Sequence, residues 1–294
     1  MASRSLNLWG ILSESKRIIN AHSRHFLALS VVFLLPLSFS LTVSPFLFSP
    51  SHSHSHIHIL IRSSNLPRTL TLTLTLLLLS LCAVSSITHS VFLGFFGRPV
   101  KLLHTLFSIL PSFLPLLTTF TLSHLLFFSL SLPLPLLLSF LPLTSPIFIS
   151  ASLLLLPTLI FLRVSLSLAP VISVVESSCG LRPLRRSFSL TAPMLPVALS
   201  SFLFFTSLQS LLLATTLLPL SPHPALLSLR FVLASSLLTI LLLYHAAADT
   251  VLFMYCKAVH GELALDIAHE FAWQYFSLPF DDGKVPHVVS VVRV

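Results

Sequence analysis

Charged residues are what this sequence has least of. Only 8% of its 294 residues are Asp, Glu, Lys or Arg, whereas a soluble domain carries about 25%. The mean hydropathy is +0.99. Because a surface so poor in charge cannot be hydrated over most of its area, the sequence excludes an ordinary soluble domain. It predicts a membrane protein instead.

Glycine and cysteine are also scarce, which excludes several kinds of functional site. The three cysteines, Cys82, Cys179 and Cys256, are too few and too widely spaced for a disulfide framework or a zinc site. No glycine-rich phosphate loop, nucleophile elbow or His-Glu-x-x-His motif occurs. We therefore expect no catalytic residues, no metal and no cofactor, and a protein that is not an enzyme.

The net charge of +8 does not indicate nucleic-acid binding. The basic residues stand in ones to threes between apolar runs, which is typical of charges that fix the orientation of membrane helices. The expected partners are membrane lipids, with no nucleic acid.

Six apolar stretches are long enough, or nearly so, for a helix that crosses the bilayer, which needs about 20 residues. They lie at approximately 26–48, 69–96, 106–141, 147–172, 191–218 and 227–256. The third stretch is too long for one straight helix and contains four prolines, so it is either kinked or crosses only by its middle. The sequence predicts an all-α, polytopic helical bundle with an amphipathic arm at 1–25, a six-span domain at 26–256 and a tail at 257–294.

The distribution of lysine and arginine predicts that both termini are cytosolic. With six spans and the N-terminus inside, twelve basic residues lie inside and three outside. The twelve are Arg4, Lys16, Arg17, Arg24, Arg98, Lys101, Arg182, Arg185, Arg186, Lys257, Lys284 and Arg293, and the three are Arg62, Arg68 and Arg230. The bias does not distinguish an endomembrane from the plasma membrane.

The N-terminal arm, LNLWGILSESKRIINAHSR, has helical amphipathic spacing. Its apolar face includes Ile11, Ile18 and Ile19, and Trp9 is a typical interfacial anchor. Two interpretations are open at this point: the helix lies along the inner membrane surface, or it docks on the bundle.

Three residues stand out because they are ionisable and fall within predicted spans, where each such side chain costs about 2.5–3.5 kcal/mol. Arg163 falls in the fourth predicted span, and His245 and Asp249 fall in the sixth. Their estimated depths are similar, so Arg163 and Asp249 are expected to form an ion pair that holds the two spans together. Two alternatives are open: the three residues line a path for a solute or protons, or the spans lie in a different register and both charged side chains extend toward the inner membrane surface.

The densest charge cluster lies in VISVVESSCGLRPLRRSFSL, residues 171–190. We expect Glu176 to end the fourth span, Gly180 to stop the helix, and a short interfacial helix to follow from Pro183. Its predicted apolar face is Leu181, Leu184 and Phe188. The basic residues Arg182, Arg185 and Arg186 could bind anionic lipid headgroups, with Glu176 pairing with one of them, or could serve only as a topology anchor.

A second dense run, SHSHSHIHI, places four histidines at 52–58. Histidines at this density can bind Zn²⁺ or Cu²⁺, but no cysteine or carboxylate accompanies them. A hydrated repeat is the simpler interpretation.

Several segments together resemble a plant family of uncharacterised multi-pass membrane proteins. They are residues 1–48, GRPVK at 97–101, VVESSCGLRPLRRSFSL within 171–190, and MYCKAVHGE within 250–262. That family is distantly similar to the membrane domain attached to some bacterial glycerophosphodiester phosphodiesterases. The matching residues are Glu176, Gly180, Arg185, Arg186 and Ser187 in one segment, and Tyr255, Cys256, Lys257, His260 and Glu262 in the other. The resemblance implies a membrane domain and carries no activity.

Two functions therefore follow from the sequence. The first is a non-enzymatic, lipid-contacting scaffold or accessory protein that uses the segment at 176–190. The second is a transporter of a small solute or ion that uses Arg163, His245 and Asp249.

Overall fold

The computed structural model describes residues 7–47, 66–140, 145–217, 224–264 and 267–268. All elements in these ranges are helical, which confirms the predicted all-α fold. A π-helical turn, Ser30–Leu34, and a 3₁₀ turn, Ala192–Met194, join some of the α-helices. The α-helices are α1 Leu8–Ala21, α2 Ser23–Leu29, α3 Leu35–Leu47, α4 Leu66–Phe95, α5 Leu102–Ser131, α6 Pro133–Phe140, α7 Pro146–Ser165, α8 Ala169–Val175, α9 Leu181–Thr191, α10 Leu195–Leu217 and α11 Pro224–Val259.

Six helical segments are long and apolar enough to cross a membrane, as predicted. Spans one to six are Ser23–Pro45, Thr69–Phe95, Leu102–Leu137, Phe148–Val175, Leu181–Thr216 and Ser228–Val259. Large apolar side chains cover their outer surfaces; Leu110 on α5 and Leu153 on α7 are each 76% exposed. Contiguous apolar surface of this kind is suited to contact with lipid rather than water. The chain is an integral membrane protein.

Some boundaries differ from those expected. The fifth apolar segment begins at Leu181, because α9 continues through the 3₁₀ turn into α10 with little interruption. Span six continues to Val259, so Lys257, expected in the tail, is a buried residue of the last turn of α11. In span three, α5 is one helix of 30 residues that passes through Pro111 and Pro115 and ends before Pro133.

Two of the spans have irregular backbone near their middle. In span one, the π-helical turn precedes Pro36, whose nitrogen cannot donate to the carbonyl four residues earlier. Span four is interrupted between α7 and α8, just before Pro170. There the carbonyl of Leu166 accepts from the nearer Ala169 amide at 3.1 Å. The buried Ser187 hydroxyl of α9 donates to the carbonyl of Ser165 at 2.6 Å, which supplies a partner at the interruption.

Small hydroxyl side chains join several helices in the interior. Ser38 and Thr239 share a buried hydrogen bond of 2.7 Å between spans one and six. Thr119 of α5 donates to Ser173 of α8 at 3.3 Å. With few glycines in the spans, serine and threonine provide these close approaches.

The first helix docks on the bundle, which matches the second of the two interpretations of the arm. Ile11, Ile18 and Ile19 are buried in the main core, where α1 packs against α4, α10 and α11. Trp9 is 75% exposed, as expected for an interfacial anchor. On the outer face Arg17 donates to Glu14 at 2.5 Å, and this hydrogen bond raises the pKa of Arg17.

Candidate functional site

A cavity of about 230 Å³ lies at the centre of the bundle. All six spans contribute to its wall, which is mainly apolar. Its polar lining residues are Ser80 and Thr88 of span two, Ser123 and His124 of span three, Arg163 and Ser167 of span four, and His245 and Asp249 of span six. The volume suits a small solute better than a large one, since sites for drug-sized ligands have about 300–1,000 Å³.

The three intramembrane residues singled out from the sequence all line this cavity. Arg163, from the last turn of α7, is an exposed residue of the cavity wall. The side chains of His245 and Asp249, one turn apart on α11, are 26% and 23% exposed. Asp249 lies ten residues before the end of α11, or about 15 Å at a rise of 1.5 Å per residue. The charges therefore lie well inside the span.

The expected ion pair between Arg163 and Asp249 is not formed. Among the described residues, the Arg163 guanidinium has neither a hydrogen bond nor a carboxylate within 4 Å. Both side chains line the same cavity, Arg163 from span four and Asp249 from span six. Two opposite charges thus face the cavity without neutralising each other directly.

Within the described residues, Asp249 forms one ion pair, with His245. The Nε2 atom of His245 lies 3.6 Å from Oδ2 of Asp249. On the other side of the ring, Nδ1 lies 3.1 Å from the amide nitrogen of Gln209 on α10. Because an amide NH₂ group only donates, Nδ1 accepts this bond and the Nε2 hydrogen of the neutral ring points toward Asp249. Phe205 stacks on the same ring, with centroids 4.8 Å apart, and helps to fix its orientation.

Sequence reasoning did not assign Gln209 and His124 to the site. Gln209 is the only amide side chain within the six predicted spans, and that isolation was the available signal. His124 stacks on Phe120 and its Nδ1 lies 2.8 Å from the Phe120 carbonyl. Since a carbonyl only accepts, Nδ1 carries the hydrogen, and Nε2 remains an acceptor in the neutral ring.

The two backbone irregularities lie beside the cavity. Leu34 of the π-helical turn lines it, and so do Leu166 and Ser167 of the interruption in span four. Arg163 is only two residues before the end of α7. Irregular helix within a span frequently occurs at functional sites and where ligands bind.

A separate group of charges lies at the end of the bundle where α4 and α11 end. We call Glu176, Arg186, Lys257 and Glu262 the α9 cluster. Arg186 contacts Glu176 at 2.7 Å through Nε and Glu262 at 2.6 Å through Nη2. Lys257 lies 3.8 Å from Glu176 and 5.5 Å from the centre of the Phe253 ring. The fold therefore joins the two segments, 171–190 and 250–262, that carry the resemblance described above.

The α9 cluster divides the three arginines of the predicted headgroup site into two kinds. Arg186 is bound by two carboxylates, whereas Arg182 and Arg185 are exposed. Within the described residues, neither of the two has an ion pair. Glu176 pairs with one arginine, as expected.

Glu176 lies at the end of span four, as expected, because α8 ends at Val175. Gly180, expected to stop that helix, instead precedes α9 and has a φ of 74°. Glycine adopts this conformation without the steric cost that other residues have. Of the predicted apolar face, only Leu184 is buried, while Leu181 and Phe188 are exposed. The buried face of α9 is completed by Pro183, Ser187 and Leu190, because its neighbours α7, α8 and α11 lie on that side.

Comparison with known proteins gives one match, over most of the chain. Residues 2–268 match a family described as Domain of unknown function (DUF8558). The chain belongs to this family. No curated protein and no solved structure matches the chain. The family region includes both the cavity residues and the α9 cluster, so both lie within the one shared domain.

In the described part of the chain, no three His, Cys, Asp or Glu side chains are grouped as a metal site would require. The histidine run at 52–58 lies outside the described residues.

Proposed function

We propose that the protein is a membrane carrier whose central cavity binds a small zwitterionic solute. The observation that carries the proposal is the separation of Arg163 and Asp249, which face one cavity without pairing with each other. A charge within a span costs about 2.5–3.5 kcal/mol. A solute with both a carboxylate and an ammonium group would compensate both charges at once.

The chemistry of the lining residues fits such a solute. A guanidinium can bind a carboxylate through two parallel hydrogen bonds. Asp249 would accept hydrogen bonds from the ammonium group. The hydrogen bond of Gln209 and the ring of Phe205 hold His245 beside Asp249, so that the carboxylate has an oriented neighbour.

The backbone around the cavity supports a carrier more than a rigid scaffold. Many transporters bind their substrate near the bilayer midplane at interrupted helices, where relative movement of two parts opens the site to either side. Span four is interrupted two residues after Arg163, and the π-helical turn of span one lies at the same cavity. No catalytic residues enter this proposal, and we propose that the protein is not an enzyme.

A second candidate function is that of a lipid-contacting scaffold or accessory protein. The exposure of Arg182 and Arg185 on α9 favours it, since exposed arginines at a membrane surface attract anionic headgroups, each by about 1 kcal/mol. The resemblance to a plant membrane family and to the membrane domain of bacterial glycerophosphodiester phosphodiesterases is in accord with a role next to lipid. We propose the predicted orientation, with both termini cytosolic, for either function.

The carrier proposal is tested by ligand-induced stabilisation of the full chain in lipid nanodiscs. The ligands are alanine, which is a zwitterion, lactate, which lacks the ammonium group, and ethylamine, which lacks the carboxylate. A ligand that binds only the folded protein raises its stability in proportion to ln(1 + [L]/Kd). We expect alanine to raise Tm at lower concentration than either of the others.

Two variants test which side chain binds the ammonium group of the ligand and which binds its carboxylate. Asp249→Asn should weaken alanine binding by about tenfold or more and leave lactate binding unchanged. Arg163→Gln should weaken both alanine and lactate binding. Glu14→Gln removes an acid outside the cavity and serves as the control. Uptake of labelled alanine into vesicles with the wild type, and its loss with Asp249→Asn, would distinguish a carrier from a binding protein.

Equal stabilisation by all three ligands, or by none of them, would contradict the zwitterion site. Equal alanine binding by the wild type and Asp249→Asn would do the same.

A further inference from the structure

A second, open groove lies on the outer surface of the bundle, between α10 and α11 and below α1. It has a volume of about 530 Å³, within the range of ligand sites. Apart from Lys16 of α1, its wall is almost entirely Leu, Ile, Phe and Tyr. It is separate from the central cavity and from the arginines of α9.

The opposite directions of α10 and α11 define how the groove runs. Along α10 it extends from Phe204 to Leu212, and along α11 from Leu237 to Tyr244. Phe204 and Tyr244 are the ends nearer to α1, where Leu12 and Lys16 complete the wall. Eight residues of α10 correspond to about 12 Å along the helix. The groove thus begins beside the single lysine and passes about 12 Å along the two helices, away from α1 and toward the ends where α10 finishes and α11 begins.

Its charge is complementary to an anionic amphiphile. Lys16 is exposed, while its neighbour Arg17 is bound to Glu14. The groove beyond Lys16 lies between spans five and six, so its open side faces the hydrocarbon of the bilayer. Trp9, on the exposed surface of α1, is a residue type that concentrates at the headgroup level. A phosphate headgroup at Lys16 and an acyl chain along the leucines would match both parts of the groove.

We propose that this groove binds one anionic glycerophospholipid, with its phosphate at Lys16 and one acyl chain between α10 and α11. Phe205 forms part of the groove wall and also stacks on His245, which lines the central cavity. The bound lipid is therefore separated from the cavity by one layer of side chains. The lipid site does not depend on the proposed carrier function.

The test uses the full chain reconstituted in phosphatidylcholine with and without phosphatidylserine, followed by gentle release and native mass spectrometry. The quantity measured is phosphatidylserine retained per protein. Lys16→Ala should lower retention about fivefold, which is the effect of one lysine near an anionic headgroup. Lys101→Ala, an exposed lysine before α5, should leave retention unchanged. The double variant Arg182→Ala/Arg185→Ala keeps Lys16 and should retain the lipid in the groove.

A second pair of variants tests the acyl chain. Leu208→Trp fills the groove, whereas Leu203→Trp adds the same side chain on a lipid-facing part of α10 that does not line it. Only Leu208→Trp should displace the lipid. Should that variant fail to fold, a lipid with a photoreactive acyl chain should crosslink to wild-type α10 more strongly near Leu208, in the groove, than near Leu203, which contacts only bulk lipid.

Several outcomes would overturn the proposal. One is that Lys16→Ala retains as much phosphatidylserine as the wild type; another is that Lys16→Ala and Lys101→Ala lose it equally. A third is that only the α9 double variant loses phosphatidylserine, which would place the lipid at α9. A dimer without retained lipid would show that a second copy of the chain covers the groove.

Discussion

The α9 cluster and the central cavity contain similar charged groups in opposite arrangements. In the α9 cluster, Arg186 is bound by two carboxylates at 2.6–2.7 Å, and Lys257 lies 3.8 Å from one of them. In the cavity, Arg163 and Asp249 face a common space of about 230 Å³ and form no ion pair with each other. The difference indicates that the first group holds helices together, whereas the second can neutralise a ligand.

The two regions also differ in how tightly they are packed. Phe95 at the end of α4 contacts Tyr255 of α11, with ring centroids 6.5 Å apart, so these helix ends lie together beneath α1. A Cβ atom on Gly94 would lie 2.8 Å from Cγ2 of Ile18, so α1 packs there without spare volume. The cavity, by contrast, has room for a ligand. Substitutions should therefore affect stability most at the α1 end and ligand binding most at the cavity.

The largest loss of stability is expected from Gly94→Ala. The added methyl overlaps the Ile18 side chain, which is buried and β-branched, so α1 must shift. Overpacking of this kind costs about 1–3 kcal/mol. Thermal unfolding of the full chain in nanodiscs measures the effect.

The control for this change is Gly10→Ala, because nothing lies within 4 Å of that site. Alanine within the helix should be neutral or stabilise α1 by about 0.5–1 kcal/mol. A loss at Gly10→Ala equal to that at Gly94→Ala would refute the tight contact.

A smaller loss is expected from Arg186→Ala. Its side chain is 37% exposed, so solvent weakens its two ion pairs, and about 1–2 kcal/mol is a reasonable loss. Arg185→Ala, one residue earlier and fully outside the α9 cluster, should change stability by no more than a few tenths of a kcal/mol. Equal unfolding temperatures for the two variants would remove the structural role of the α9 cluster.

The smallest change in stability is expected from Asp249→Asn. Breaking a buried ion pair costs about 3–5 kcal/mol, but among the described residues Asp249 pairs with His245 alone, at 3.6 Å. Because Asn is uncharged, the substitution also removes the free-energy cost of holding a charge in the membrane interior. We expect a change below about 1 kcal/mol in the same unfolding assay. A loss larger than that of Arg186→Ala would assign Asp249 to structure rather than to ligand binding.

The sequence predicted the membrane architecture well. Six spans, the all-α fold and an amphipathic first helix follow from composition and periodicity, since these are properties of local segments. Arg163, His245 and Asp249 could be singled out because charges within an apolar span are unusual whatever the fold. Gln209 offered the same kind of signal, and it was not assigned to the site.

Distances between helices could not be predicted in this way. Depth estimates placed Arg163 and Asp249 at similar levels, and an ion pair was expected, but depth does not specify how helices are rotated or separated. The burial of Leu184 and the exposure of Leu181 and Phe188 were likewise decided by the positions of α7, α8 and α11 around α9.

What the sequence by itself determined is which segments are long and apolar enough to cross the membrane, because the cost of placing a residue in lipid depends mostly on that residue and its close neighbours. The tertiary structure alone decided which charges meet. Glu176, Arg186 and Glu262, up to 86 positions apart, are brought together by the packing of α9 against the end of α11. Arg163 and Asp249, 86 positions apart as well, line one cavity but form no ion pair with each other. Pairing depends on the distance between side chains across helices, and that distance is set by the packing of the whole bundle.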